Sequence, residues 1–158
     1  MEDPVQRCTT TAYSKIAFLL FLLSSTGGFG QKAQEPRCLS YEPSVVKLYG
    51  TLIHKAFPGP PNYRDIRRGD TPQVSWLLNL DAPICVDQDK VQPDLNPRHK
   101  KIHTIQLVVP VEFYSKYKDL IGKPIIVTGK LFGAHTVHHR TPVLITVSSL
   151  AEAEQPLR

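Results

Sequence analysis

Three of the chain's six histidines fall within five positions, in His135-Thr136-Val137-His138-His139. Imidazole is the commonest protein metal ligand and the side chain whose charge changes near neutral pH. At i, i+3 and i+4, His135, His138 and His139 could give zinc or copper two or three nitrogens. The same turn could instead contact an anion or a sugar, using Arg140 beside it and Tyr63 and Arg64 from another segment. A third reading keeps the chemistry local: Thr136, His138 and Thr141 hydrogen-bond the turn's own backbone, and His135 and His139 face solvent. There is no HExxH pattern, and no carboxylate falls between Gly122 and Ala151. A base or fourth ligand would therefore have to come across from Asp65 or Asp70. Local spacing assembles neither a Ser-His-Asp set nor paired carboxylates. The residues favour binding over catalysis, with no cofactor unless the histidines hold zinc or copper.

The turn must be positioned by the runs on either side of it, 124–131 and 141–147, which both read as strands. Residues 45–57 alternate, with Val46, Leu48 and Leu52 on one face and Lys47, Tyr49, Thr51 and Lys55 on the other. That is the period of a half-buried strand. Gly50 within it marks a bend or a close backbone approach, and Gly129 repeats the feature. Residues 74–80 form a second strand that runs on to Val86, with Trp76, Leu78 and Leu80 inward. Residues 102–109 form a third, with Ile105, Leu107 and Val109 inward. Pro110 opens a helix, since its missing N–H does no harm there. Phe113, Tyr117, Leu120 and Ile121 make its apolar stripe, and Gly122 is its C-terminal cap. The order β-β-β-α-β-β suits a five-stranded OB-fold-like Greek-key barrel over 45–150, where a sandwich would want about seven strands. Residues 31–44 lead into it and 151–158 form a polar tail.

OB-folds bind on the face of strands two and three, between the loops joining strands one–two and four–five. Those loops are the two oddest segments of the chain. One begins Phe57-Pro58-Gly59-Pro60-Pro61-Asn62-Tyr63, and the other carries the histidines. Prolines without an N–H cannot sit in a sheet, so the first is a stiff, structured loop. Two lesser motifs read as turns. Arg68-Gly69-Asp70 is a short match to an adhesion tripeptide. Asp87-Gln88-Asp89 lacks the glycine and closing glutamate of a calcium loop.

The compartment is legible in the leader. Residues 16–23 are an unbroken apolar run of eight after Lys15, with Gly28 and Gly30 placed for cleavage before Gln31. This is the pattern of a signal peptide over 1–30, and the run is too short to span a bilayer. The expected product is secreted, with no transmembrane anchor after cleavage. Glu2 and Asp3 offset Arg7 and Lys15, so the usual positive excess before the apolar run is missing. Cys8 leaves with the leader. The remaining pair, Cys38 and Cys85, meets an oxidising compartment, where a lone pair forms one bridge. No CxxC or zinc-ribbon spacing competes with that. The net charge is +5, with one basic cluster at Arg64, Arg67 and Arg68 and another at Arg98, Lys100 and Lys101 flanked by His99 and His103. Either cluster could attract an anionic partner or be ordinary solvated surface. Export makes nucleic acid an unexpected partner.

The chain also resembles a family of small exported bacterial domains, domain of unknown function 4431. The resemblance rests on Cys38-Leu39-Ser40-Tyr41-Glu42-Pro43, Gly50-Thr51-Leu52, the Phe57–Tyr63 segment, Gly69-Asp70, Pro83-Ile84-Cys85, Gly122-Lys123, Val127-Thr128-Gly129, His135–His139 and Thr141-Pro142-Val143. It implies an envelope protein with a Cys38–Cys85 bridge and brings no activity with it. Arg140 stands where the resemblance would place a further histidine. The combined expectation is a periplasmic OB-type binding module for an unknown envelope ligand or protein. The alternatives are a zinc or copper protein and a structural or inhibitory envelope partner.

Overall fold

Alternation along residues 45–58 is realised as β1 (Val45–Pro58), with Val46, Leu48 and Leu52 buried and Lys47, Tyr49 and Lys55 outside. The computed structural model describes residues 38–154. The leader at 1–30, residues 31–37 and residues 155–158 lie outside that range. The other strands are β2 (Pro72–Val86), β3 (His99–Val108), β4 (Pro124–Gly133) and β5 (Val143–Glu152). They close into a barrel in the order β1-β2-β3-β5-β4, with β1 also paired to β4. Among the described strand pairs of the barrel, the short β3–β5 contact is parallel and the rest antiparallel. This is the five-stranded OB-fold expected from the sequence.

Two glycines permit the closure. β1 pairs with β4 from Val45 to Thr51 and with β2 from Gly50 to Pro58, so Gly50 stands where the strand changes partner. A Cβ there would lie 2.1 Å from the Asn79 carbonyl oxygen, and one at Gly129 would lie 2.2 Å from that of Thr146. At such distances the facing backbone would have to move to admit any side chain. The interior is filled by Leu52, Leu78, Ile105, Leu107, Ile125, Val127, Leu131, Val143 and Ile145.

The helix is shorter than its stripe implies. α1 covers Val111–Lys116 with Pro110 at its N-terminal boundary, and the stretch Lys118–Leu120 tightens into a 3-10 turn before Gly122 at φ 87°. Such tightening is common at a helix end. The stripe itself holds: Phe113, Tyr117, Leu120 and Ile121 all pack partly buried against the barrel core.

β5 starts two residues later than expected, because the Thr141 hydroxyl closes the preceding loop by donating to the Val143 carbonyl at 2.7 Å. It also runs on to Glu152, so Ala151 and Glu152 belong to the sheet. Residues ahead of β1 contribute as well. Tyr41 is buried in the core, and its hydroxyl donates to the Pro97 carbonyl at 2.8 Å. Cys38 and Cys85 are disulfide-bonded, and the Leu39 N–H donates to the Cys85 carbonyl alongside. Among the described residues no helix is long and apolar enough to cross a membrane.

Candidate functional site

Residues on the outside of a barrel should be wet, yet Leu77, Gln106 and Leu144 are buried and paired in one row across β2, β3 and β5. Leu77 and Leu144 stand apart from the interior cluster. The loop 134–142 is held over this row, and Gln106 holds it. The Gln106 side chain donates to the His138 carbonyl at 3.2 Å and accepts from the Arg140 N–H. Its own backbone N–H donates to the Thr141 hydroxyl at 2.9 Å. A buried polar side chain with every group engaged fixes the geometry of what it touches.

Arg140 extends the tie to the other loop. Its guanidinium donates to the Pro58 carbonyl at 3.2 Å and to the Gln73 side chain at 3.0 Å, and sits 5.2 Å from the centre of the Phe57 ring. Its Nε is buried without a hydrogen-bond partner. Arg140, expected to contact ligand, joins the two loops.

The three imidazoles divide between the ends of the loop. His135 and His139 meet edge to face at 4.6 Å beside Phe132. The His139 Nδ1 accepts from the His135 N–H at 3.0 Å, so it carries no proton. The His135 Nδ1 lies 3.0 Å from the Gly133 carbonyl, an acceptor, and therefore carries one. His138 points the other way. Its Nδ1 is 3.3 Å from the Gln73 side-chain oxygen, and its ring meets Tyr63 edge-on at 5.5 Å. Burial, followed by the neighbouring positive charges of His135 and His138, holds His139 below the usual histidine pKa. His135 and His138 are exposed and His139 half-buried.

The structure thus brings Tyr63 to His138 and His135 to His139, but does not converge all three histidines. Among the described residues no three His, Cys, Asp or Glu side chains are grouped to hold a metal ion. Neither carboxylate that might have crossed over does so. Asp70 is buried and accepts the N–H groups of Asn62, Arg64 and Asp65 at 2.7–2.9 Å, which pulls its pKa down. It organises the 59–71 loop. Asp65 caps the 3-10 turn Ile66–Arg68 and pairs with Arg67 and Arg68. Gly69 follows at φ 102°, so the Arg68-Gly69-Asp70 tripeptide is a turn. Asp89 accepts from Val91 and Gln92 N–H, again as a turn. Arg64 lies exposed beside Tyr63 at the rim.

Sequence reasoning missed Gln106, Gln73 and Asn96. Asn96 is buried and accepts the Gly133 N–H at 2.8 Å, anchoring the near end of the histidine loop to the β2–β3 connection. Gln106 reads as an exposed outward residue between inward Ile105 and Leu107. Only the loop folding over it reverses that.

By topology the barrel is an OB-fold, with its two connecting loops in contact at the rim where such folds bind. Residues 104–151, spanning the second half of β3 to most of β5 and the whole histidine loop, match the family described as domain of unknown function (DUF4431). The resemblance drawn from the motifs therefore stands over that stretch. Among solved structures, the small single-stranded DNA-binding protein from Streptomyces coelicolor is similar at 15% identity and a TM-score of 0.35, over 70% of this chain and 92% of that one. No curated protein matches the chain.

Proposed function

We propose that this protein is an exported, non-enzymatic OB-type binding module that takes an anionic envelope ligand at the rim shared by loops 59–71 and 134–142. The contact between Tyr63 and His138 carries this reading, because it joins the two loops into one surface. Exposed Arg64 follows Tyr63 on that surface, while exposed His135 and half-buried His139 face the other way, beside Phe132. Arg140 and Gln106 hold the loops in register rather than meeting the ligand. The Cys38–Cys85 bridge is compatible with export. Asp65 and Asp70 direct their carboxylates to the 59–71 backbone rather than toward the imidazoles.

The test is retention on a heparin column, a soluble stand-in for an anionic envelope polymer. Tyr63→Ala with His138→Ala should lower the eluting salt concentration, and a lysine-to-glutamine change at Lys47, on the outer face of β1, should not. Equal retention of the double variant and the parent would remove the rim from consideration.

A further inference from the structure

The second basic cluster lies at the end of β2 remote from the 59–71 loop. There the ladder pairs Ile84 with Ile102 but Val86 with His99, so Cys85 alone stands opposite both Lys100 and Lys101. Successive side chains of a regular strand point to opposite faces. This bulge instead lets both lysines line one open cavity of about 390 Å³, together with Arg98, the Cys38–Cys85 bridge, Pro83 and Ile84. Bulges commonly re-aim side chains next to binding sites. Lys101 adopts φ 54°, the left-handed region where a β-carbon is unfavourable and glycine is the default. The chain thus keeps a lysine where its backbone favours glycine.

The charges around the cavity are uneven. Arg98 meets Asp87 at 3.4 Å, but among the described residues Lys100 and Lys101 have no carboxylate within ion-pair distance. Three cations against one carboxylate leave two positive charges to be matched. A phosphomonoester carries about −1.5 to −2 near neutral pH, and lysine and arginine are its usual partners. The floor of Ile84, Pro83 and the disulfide is apolar and suits an organic substituent.

We propose that this cavity binds a phosphomonoester, its phosphate held by Lys100, Lys101 and Arg98 and its organic part resting on Ile84 and the Cys38–Cys85 bridge. The site shares no residue with the loop rim and stands whether or not the rim binds a ligand.

The test titrates the purified, oxidised protein with glycerol phosphate and with inorganic phosphate while backbone amide NMR shifts are followed. Sedimentation with phosphatidylcholine vesicles, with and without phosphatidic acid, forms the lipid arm. Glycerol phosphate should shift the amides of Ile84, Lys101 and Ile102. Lys100→Gln with Lys101→Gln should weaken binding at least about tenfold, or about 1.4 kcal/mol. Lys47→Gln with Lys130→Gln, both exposed on the outer faces of β1 and β4, removes the same charge elsewhere and should leave binding intact. Lys101→Gly should raise the melting temperature while lowering affinity, an opposition that a merely structural lysine would not produce. Lysine-dependent binding confined to phosphatidic acid vesicles would assign the phosphate to a lipid headgroup; lysine-dependent binding of the soluble ester would assign it to a free metabolite. Absence of lysine-dependent binding in both arms, or equal weakening by the Lys47/Lys130 variant, would overturn the proposal.

Discussion

Arg140 is the residue whose meaning changes most between sequence and structure. Beside three histidines it reads as a ligand contact, and nothing local says otherwise. Its partners lie 82 and 67 positions away at Pro58 and Gln73, a separation that no spacing rule reaches. Arg140→His would supply the further imidazole suggested by the family resemblance, but would lose the paired donors and the contact with Phe57. Hydrogen bonds from charged groups contribute about 1.5–3 kcal/mol each, discounted here because Arg140 is only half-buried. The expected loss is about 1–2 kcal/mol in urea unfolding, with faster amide exchange across 134–142; unchanged exchange there would show that Gln106 suffices alone. His139 adds a pH dependence. Its Nδ1 accepts a hydrogen bond, and its pKa lies below the unfolded value of 6.5. Over the window between the two pKa values the unfolded chain binds more protons, so stability rises with pH. Acidification from 6.5 downward should therefore lower the melting temperature, and His139→Gln should flatten that slope. The three imidazoles were legible as a cluster, but their divergence was not. Zinc or copper titration of the oxidised protein should accordingly give no stoichiometric, three-histidine site, and tight binding abolished equally by His135→Ala, His138→Ala and His139→Ala would contradict this.

At the scale of elements, legibility follows alternation. β1 and β4 have one clean inward face, and their limits are nearly those read from the sequence. The far half of β5 has Ser148-Ser149-Leu150-Ala151-Glu152, weak strand formers that look like the start of a tail. They are extended because β4 offers partners, Ile125 for Glu152 and Val127 for Leu150. Tertiary pairing overrides propensity there. The helix stripe was read correctly while its second turn was not, since the same four apolar contacts are compatible with a 3-10 ending. Gly50 and Gly129 were legible as special positions, and their reason is steric. Gly129→Ala would force a methyl group toward the Thr146 carbonyl and the Ile145 side chain. Backbone cannot yield as a flexible side chain does, so the cost should be at the upper end of overpacking, about 3 kcal/mol. A urea titration returning less than ~1 kcal/mol would mean that the register shift beside Gly129 absorbs the methyl.

Across the whole molecule, the barrel's order was recoverable because five strands, one helix and two bend glycines leave few closures. What the sequence could not convey was how the segment before β1 completes it. Residues 31–44 were read as a polar lead, yet Tyr41 enters the core and Leu39 bridges to Val86. The disulfide fastens that segment beside the β2–β3 connection, across a sequence separation of 47. Closing a loop of such length removes unfolded-state entropy of about 4 kcal/mol, less any native strain. The loss from Cys38→Ser with Cys85→Ser should approach that figure, since Leu39 and Tyr41 must then find their places from an untethered chain. Tyr41→Phe in the bridged protein should cost about 1 kcal/mol, the hydrogen bond to Pro97 alone. Combining the two sets of changes tests whether they act together. Side chains sharing one docking event should couple, so the summed loss would exceed that of the combined variant by more than ~0.5 kcal/mol. Strict additivity would mean instead that the segment docks equally well without the bridge, and that the disulfide acts on the unfolded chain alone.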